Sequence, residues 1–332
     1  MVFFEIPFFY LTAMSLGLVM LIWSADRFVD AATSLAAHCG IPTLLIGILI
    51  VGFGTSAPEF AVSSIAAING SPTLALGNAM GSNIANIGLI LGTSALISPV
   101  ILQSDIVKQN IFLALAVMIL IGFMLVDASL TFVEGVILLI GFALFVIWSI
   151  MSSLKHKRDA LLGDIKTEIK EAAMSLPRSI MLFFGGLVIL IASSQLLVWG
   201  SVGMAKTLDI SNLIIGLTII AIGTSLPELA TSIMAVKKGD SDIAIGNVVG
   251  SNIFNILAVI GTSTVIAPAT KIAPEVFYRD WSMMFAMSMA LFLMAYAKKG
   301  ENSKINSFEG AVLLLFYIMY TLYLIVWILK TV

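Results

Sequence analysis

Charge is scarce in this chain. Of 332 residues, 17 are Lys or Arg and 19 are Asp or Glu. Charged residues therefore make up 11%, where a soluble domain carries about 25%. The net charge of −2 offers no basic face to nucleic acid. Cysteine is reduced to Cys39, which excludes an internal disulfide and reads as packing at a helix end. Histidine is limited to His38 and His156, too few for a zinc site, and no His-Glu-x-x-His occurs. Met1-Val2-Phe3-Phe4-Glu5 has no basic leader, an expectation against a cleaved signal peptide.

Apolar residues are what the chain has instead. They reach 60%, and the mean hydropathy is +1.09. No single soluble core buries that much apolar surface while leaving so little polar surface for water. The composition predicts an all-α integral membrane protein.

A membrane helix needs about 20 largely apolar residues. Ten segments meet this, at about 8–29, 41–69, 73–98, 107–126, 131–152, 178–203, 210–236, 240–266, 277–297 and 308–329. Turn and charge signals separate them, as at Asn69-Gly70-Ser71-Pro72 and Lys298-Lys299-Gly300-Glu301-Asn302. Thirteen of the 17 basic residues fall on the side of the first loop and four on the other. The positive-inside rule then makes the first-loop side cytoplasmic and both termini external. Asp26, Asp30 and Asp127 sit near span ends and read as solvated.

The sequence repeats internally. Residues 47–99 align with 216–268 at a fixed offset of 169, without a gap and with 25 identities. The matches include Gly54-Thr55-Ser56 with Gly223-Thr224-Ser225, Pro58-Glu59 with Pro227-Glu228, Gly77-Asn78 with Gly246-Asn247, and Gly81-Ser82-Asn83-Ile84 with Gly250-Ser251-Asn252-Ile253. Shared greasiness does not produce matched Pro, Glu, Asn and Gly at one offset. The expected organisation is a five-helix repeat over 1–152, a charged cytoplasmic linker over 153–177, and a second five-helix repeat over 178–332. Five is odd, so the second copy enters the membrane inverted, a design typical of secondary transporters.

The repeated motif carries the chemistry. Pro58 and Pro227 lack an N–H and cannot bond the carbonyls of Gly54 and Gly223, so the second and seventh helices should be broken in mid-membrane. Freed backbone groups at that depth are tolerated where they are buried in protein or line a cavity. Glu59 and Glu228 are the decisive residues. A charge at the bilayer centre costs roughly 2.5–3.5 kcal/mol on insertion scales, and neither helix offers a basic partner before its end. Thr55 and Ser56 lie four and three residues before Glu59, on one helical face, and Thr224, Ser225 and Glu228 repeat this. Asn78, Ser82 and Asn86 share a face of the next helix, as do Asn247, Ser251 and Asn255. The pooled donors are hard oxygens, suited to Ca²⁺ with its about 6–8 ligands and to Na⁺, and ill suited to zinc or copper. Two negative charges balance one Ca²⁺ or two monovalent ions, the physical basis of exchange at a shared site.

These motifs resemble the α-repeats of the cation/Ca²⁺ exchanger superfamily, and its prokaryotic sodium/calcium exchangers most nearly. Gly54 to Glu59 and Gly223 to Glu228 match its G-T-S-x-P-E signature, and Gly77 to Ile84 and Gly246 to Ile253 its G-N-x-x-G-S-N-I signature. The resemblance covers nearly the whole chain. It implies a bacterial inner-membrane antiporter that works by alternating access, a pair of gating helices sliding past a fixed core. It also implies roles by position. Glu59 and Glu228 would bind Ca²⁺, and Thr55, Thr224 and the carbonyls of Gly52 and Ala221 would complete Ca²⁺ and Na⁺ sites. Ser56, Ser82, Ser225 and Ser251 would line flanking Na⁺ sites, with Asn86 at the middle. Archaeal exchangers that resemble this chain carry Asp where it has Asn255, as does the potassium-dependent branch. Asn255 thus points to K⁺ independence and removes a third carboxylate. Na⁺ and H⁺ both remain open as the counter-ion, since a buried Glu can carry a proton. No cofactor and no obligatory protein partner is expected beyond the lipid bilayer and the transported ions.

Two other classes compete. A passive cation channel would need a selectivity filter, and no TVGYG-like segment occurs. An intramembrane enzyme would need a nucleophile with its base or a metal dyad with His, and neither His lies near Glu59 or Glu228 in sequence.

Overall fold

The structure, a computed structural model, describes residues 2–102, 105–161, 174–207, 221–296 and 304–331. Almost all of these are helical. In chain order the elements are α1 (Val2–Cys39), α2 (Thr43–Thr55), α3 (Ala57–Ile68), α4 (Pro72–Ile97), β1 (Val100–Ile101), α5 (Asp105–Met124) and α6 (Phe132–Leu161). There follow α7 (Leu176–Thr207), α8 (Ala221–Thr224), α9 (Leu226–Lys237), α10 (Ser241–Ile266), α11 (276–296), β2 (Lys304–Ile305) and α12 (Ser307–Thr331).

Among the described residues, seven helices are long and apolar enough to cross a membrane, and α2 with α3, bent by 46°, makes an eighth if the pair is one span. Large apolar side chains such as Phe8, Phe123, Phe184, Phe308 and Leu315 are exposed along these helices. Such a surface is untenable in water and natural in lipid. The protein is an all-α integral membrane protein. Of the ten expected spans, 277–297 falls on α11, which is not among these helices, and residues 210–220 of the seventh lie outside the described residues.

Local chemistry sets the boundaries. Gly40, Gly70 and Gly239 adopt φ of 63°, 75° and 78° just past α1, α3 and α9, the left-handed conformation in which a helix end is readily terminated. Pro58, Pro72 and Pro227 sit in the first turns of α3, α4 and α9, where a missing N–H is harmless. The predicted breaks in the second and seventh spans occur at Ser56 (φ −81°, ψ 9°) and Ser225 (φ −90°, ψ 8°).

Three features differ from expectation. The residues expected to open a linker at 153 continue α6 as far as Leu161, because Lys and Arg are good helix formers once the chain is nucleated. Asp26 and Asp30 are not merely solvated: Lys238 Nζ lies 2.8 Å and 2.7 Å from their carboxylates. Asp127 accepts from the amide and hydroxyl of Ser129 and closes the turn before α6.

The repeat has a structural counterpart. An offset of 169 carries α3 onto α9 and α4 onto α10, end for end. It also carries a π-helical turn at Asn86–Leu91 onto one at Asn255–Ile260, which periodicity does not reveal. Chain segments near the connections also meet one another. Thr33 and Thr43 on the first-loop side bond Asp240 and Asp242, β1 pairs with β2, and Leu130 bridges Ala269. The core lies where α4 and α10 cross, and α10 is buried along nearly its whole length. Gly246 and Gly250 let it approach α2: a Cβ on them would lie 2.7 Å from the carbonyl of Leu44 and 2.3 Å from that of Ile48.

Candidate functional site

The broken turns before α3 and α9 face each other across this crossing. Glu59 and Glu228 stand in the first turns of the two helices, each 1% exposed. Proline sets this placement. A Pro-Glu pair at a helix start puts the carboxylate beside free backbone amides, the favourable end of the helix dipole. Among the described residues, no ion pair involves either glutamate.

Each carboxylate is reached by hydroxyls of the other half. Ser56 Oγ donates to Glu228 Oε1 at 2.9 Å, and Ser225 Oγ lies 3.4 Å from Glu59 Oε1. Thr224 also reaches Glu59, and Thr55 reaches Glu228. Thr55 Oγ1 lies 3.0 Å from Asn247 Oδ1 and 3.0 Å from the Val51 carbonyl, and its single proton serves one acceptor at a time. The two carboxylates lie within electrostatic reach of each other.

Asparagines order the floor of the site. Asn78 Nδ2 donates to the Glu59 carbonyl and to Ser63 Oγ, and Asn247 Nδ2 donates to the Glu228 carbonyl and to Ser232 Oγ. Asn83 Nδ2 donates to the carbonyl of Asn252 at 3.1 Å. A carbonyl only accepts, so this bond fixes the Asn83 amide. Its Oδ1 then accepts from Asn255 Nδ2 at 3.0 Å, which turns Asn255 Oδ1 away. Likewise Asn86 Nδ2 donates to Asn252 Oδ1 at 3.0 Å. Contacts that are reciprocal under one offset mark two related halves in face-to-face contact.

Among the described residues, four buried oxygens of the repeated motif have no donor: Glu59 Oε2, Glu228 Oε2, Asn86 Oδ1 and Asn255 Oδ1. Each half contributes one carboxylate oxygen and one amide oxygen. Buried acceptors left unpaired are costly. The described residues hold no group of three or more His, Cys, Asp or Glu side chains.

Of the twelve residues expected at the site, Glu59, Glu228, Asn86 and Asn255 carry the unpaired oxygens. Thr55, Ser56, Thr224, Ser225, Ser82 and Ser251 are buried. Ser251 Oγ donates to the Gly52 carbonyl at 3.0 Å. That carbonyl also accepts from the Ser56 amide, so both its lone pairs are engaged in this conformation. In the other half the Ser225 amide bonds the carbonyl of Ile222. Asn83 and Asn252 were not expected at the site, because each lies one residue off the face shared by Asn86 or Asn255. Their pairing across the halves is a tertiary fact, and only their doubled occurrence in the repeat hinted at it.

The family model described as sodium/calcium exchanger protein matches residues 9–151 and 178–326. Inner membrane protein YrbG of Escherichia coli (strain K12) is 39% identical over 294 residues, covering 87% of this chain and 89% of its own. Sodium/calcium exchanger MaX1 of Methanosarcina acetivorans is 29% identical over 342 residues, covering 92% of this chain and 95% of its own. A solved structure of the sodium-calcium exchanger NCX_Mj superposes with a TM-score of 0.81 at 31% identity, covering 95% of this chain and 98% of that one. The chain belongs to the sodium/calcium exchanger protein family, whose members are secondary transporters that exchange cations against Ca²⁺ and are not enzymes.

Proposed function

We propose that this protein exchanges Ca²⁺ for Na⁺ at one site, with Glu59 and Glu228 as the charged ligands. The observation that carries the reading is the group of four donor-less buried oxygens drawn equally from both halves. One Ca²⁺ neutralises the two carboxylates, and so do two Na⁺ ions. The same oxygens cannot serve both at once, so loading one ion expels the other. A third Na⁺ would leave the site net positive, because position 255 is Asn. The proposed stoichiometry is therefore electroneutral. Asn255 also favours K⁺ independence.

The chain spans the membrane ten times, as two five-helix repeats inverted about an axis in the membrane plane. The matched bounds and reciprocal contacts support this reading. With the basic first-loop side in the cytoplasm, both termini face outward, as suits a bacterial inner membrane. Exchange of the two halves' conformations alternates access from one side to the other.

The test is Ca²⁺ uptake into proteoliposomes loaded with Na⁺ and diluted into Na⁺-free buffer. Uptake that collapses with the Na⁺ gradient supports exchange. An imposed pH gradient forms the second arm, because a buried carboxylate also accepts H⁺. Uptake driven by pH alone would make H⁺ the counter-ion, and uptake without either gradient would mean a channel. No uptake in any arm would sink the reading.

A further inference from the structure

The two halves are alike in sequence, yet the α1–α7 pair does not sit symmetrically upon them. α1 and α7 touch backbone to backbone. A Cβ on Gly17 would lie 2.9 Å from the amide nitrogen of Leu197, and one on Gly200 3.0 Å from the carbonyl of Tyr10. Contacts that close make the pair one body. α7 crosses both broken turns: Leu187 lies 3.0 Å from where a Gly54 Cβ would stand, and Val198 2.2 Å from where a Gly223 Cβ would stand. α1 instead packs along α9.

Between Leu187 and Val198, the fully buried Ser194 donates its hydroxyl to the Gly223 carbonyl at 2.9 Å. That is the carbonyl which Pro227 cannot bond. α7 thus replaces from outside the bond that the proline removes. The same offset puts Ala25 of α1 in the place of Ser194, with Gly54 and Pro58 as its counterparts. Ala25 is also fully buried, but it has no hydroxyl. In the exchanged arrangement α7 would lie along α3, α1 would lie over the turn at Gly52–Thr55, and Ala25 would face the Gly54 carbonyl.

We propose that Ser194 is a positioning residue that holds the α1–α7 pair in the arrangement seen here, making the two access states unequal by one buried hydrogen bond. The proposal rests on the alternating-access reading above. A net bond of this kind shifts a population ratio by about fivefold to tenfold.

The test reads the minor state directly, in the full chain with Cys39→Ser. Ile243 is buried and its counterpart Leu74 is 61% exposed, so the exchanged arrangement would expose position 243. A thiol introduced by Ile243→Cys is labelled with a maleimide reagent. Ser194→Ala should speed labelling about fivefold to tenfold, and Ser194→Thr, which keeps the hydroxyl, should leave it within about twofold. Ala25→Ser should speed it as Ser194→Ala does, by giving the other arrangement its own bond. Ser94→Cys is the control, because Ser94 and its counterpart Ser263 are both buried. Unchanged labelling in Ser194→Ala and in Ala25→Ser would overturn the proposal. So would a rise at the Ser94→Cys control, since that reports unfolding. Neither readout depends on transport, so loss of Ca²⁺ uptake with normal labelling would count against the exchanger reading alone.

Discussion

Glu59 and Glu228 each turn one oxygen to a hydroxyl of the other half and leave one without a partner. On the proposed reading, an ion held this way is bound chiefly by charge. Two unit charges at contact distance in a protein site interact by about 4 kcal/mol. Glu59→Gln and Glu228→Gln should therefore each lower Ca²⁺ affinity by at least about 100-fold while the purified protein elutes and melts normally. Equilibrium ⁴⁵Ca²⁺ binding and thermal unfolding check the two halves of that statement. Asn255→Asp should act in the opposite direction. A third carboxylate raises the charge the site can balance, so the Na⁺ dependence of Ca²⁺ release should steepen and transport should become sensitive to membrane potential. The glutamates were legible in the sequence because an ionisable residue in an apolar run has few excuses. Asn83 and Asn252 were not, since what they do depends on contacts between halves 169 residues apart. Ser194 was one serine among several in an apolar helix, and only the fold sets it against the Gly223 carbonyl.

The elements around the site are built to be broken at fixed places. Pro227→Ala would restore an N–H that can bond the Gly223 carbonyl and carry the helix through Ser225. The expected outcome is a Ca²⁺ uptake rate reduced by about tenfold or more, with thermal stability unchanged or raised. A stable but slow variant would separate the break's role in transport from a role in folding. Packing differs between the equivalent helices α4 and α10. Gly250→Ala places a Cβ 2.3 Å from the Ile48 carbonyl and should destabilise the protein by about 1–3 kcal/mol, read as a lower melting temperature. Gly81→Ala, at the matching position of α4, meets nothing within 4 Å among the described residues and should melt like the parent. The breaks were predictable, because a proline in an apolar run removes a specific bond. The π-turns at Asn86–Leu91 and Asn255–Ile260 were not, since nothing in hydrophobic spacing separates a wide turn from an ordinary one. The tight approach of α10 to α2 was likewise hidden. Glycine is common in membrane helices, and which glycines touch backbone is settled by packing.

As a whole molecule, the chain puts two similar halves face to face so that each completes the other's site. Composition alone identified the membrane as its solvent, and the fixed offset identified the halves. Sequence could not say that the carboxylate of each half is met by hydroxyls of the other, which makes the site a property of the assembled pair and absent from either half alone. The most direct measurement is Ca²⁺ binding to the purified protein by calorimetry, titrated at several Na⁺ concentrations. The account predicts one Ca²⁺ per chain, displaced competitively by Na⁺ with a second-power dependence, and no binding in the Glu59→Gln, Glu228→Gln double variant. Ca²⁺ binding that persists in the double variant, or that ignores Na⁺ and pH alike, would contradict it.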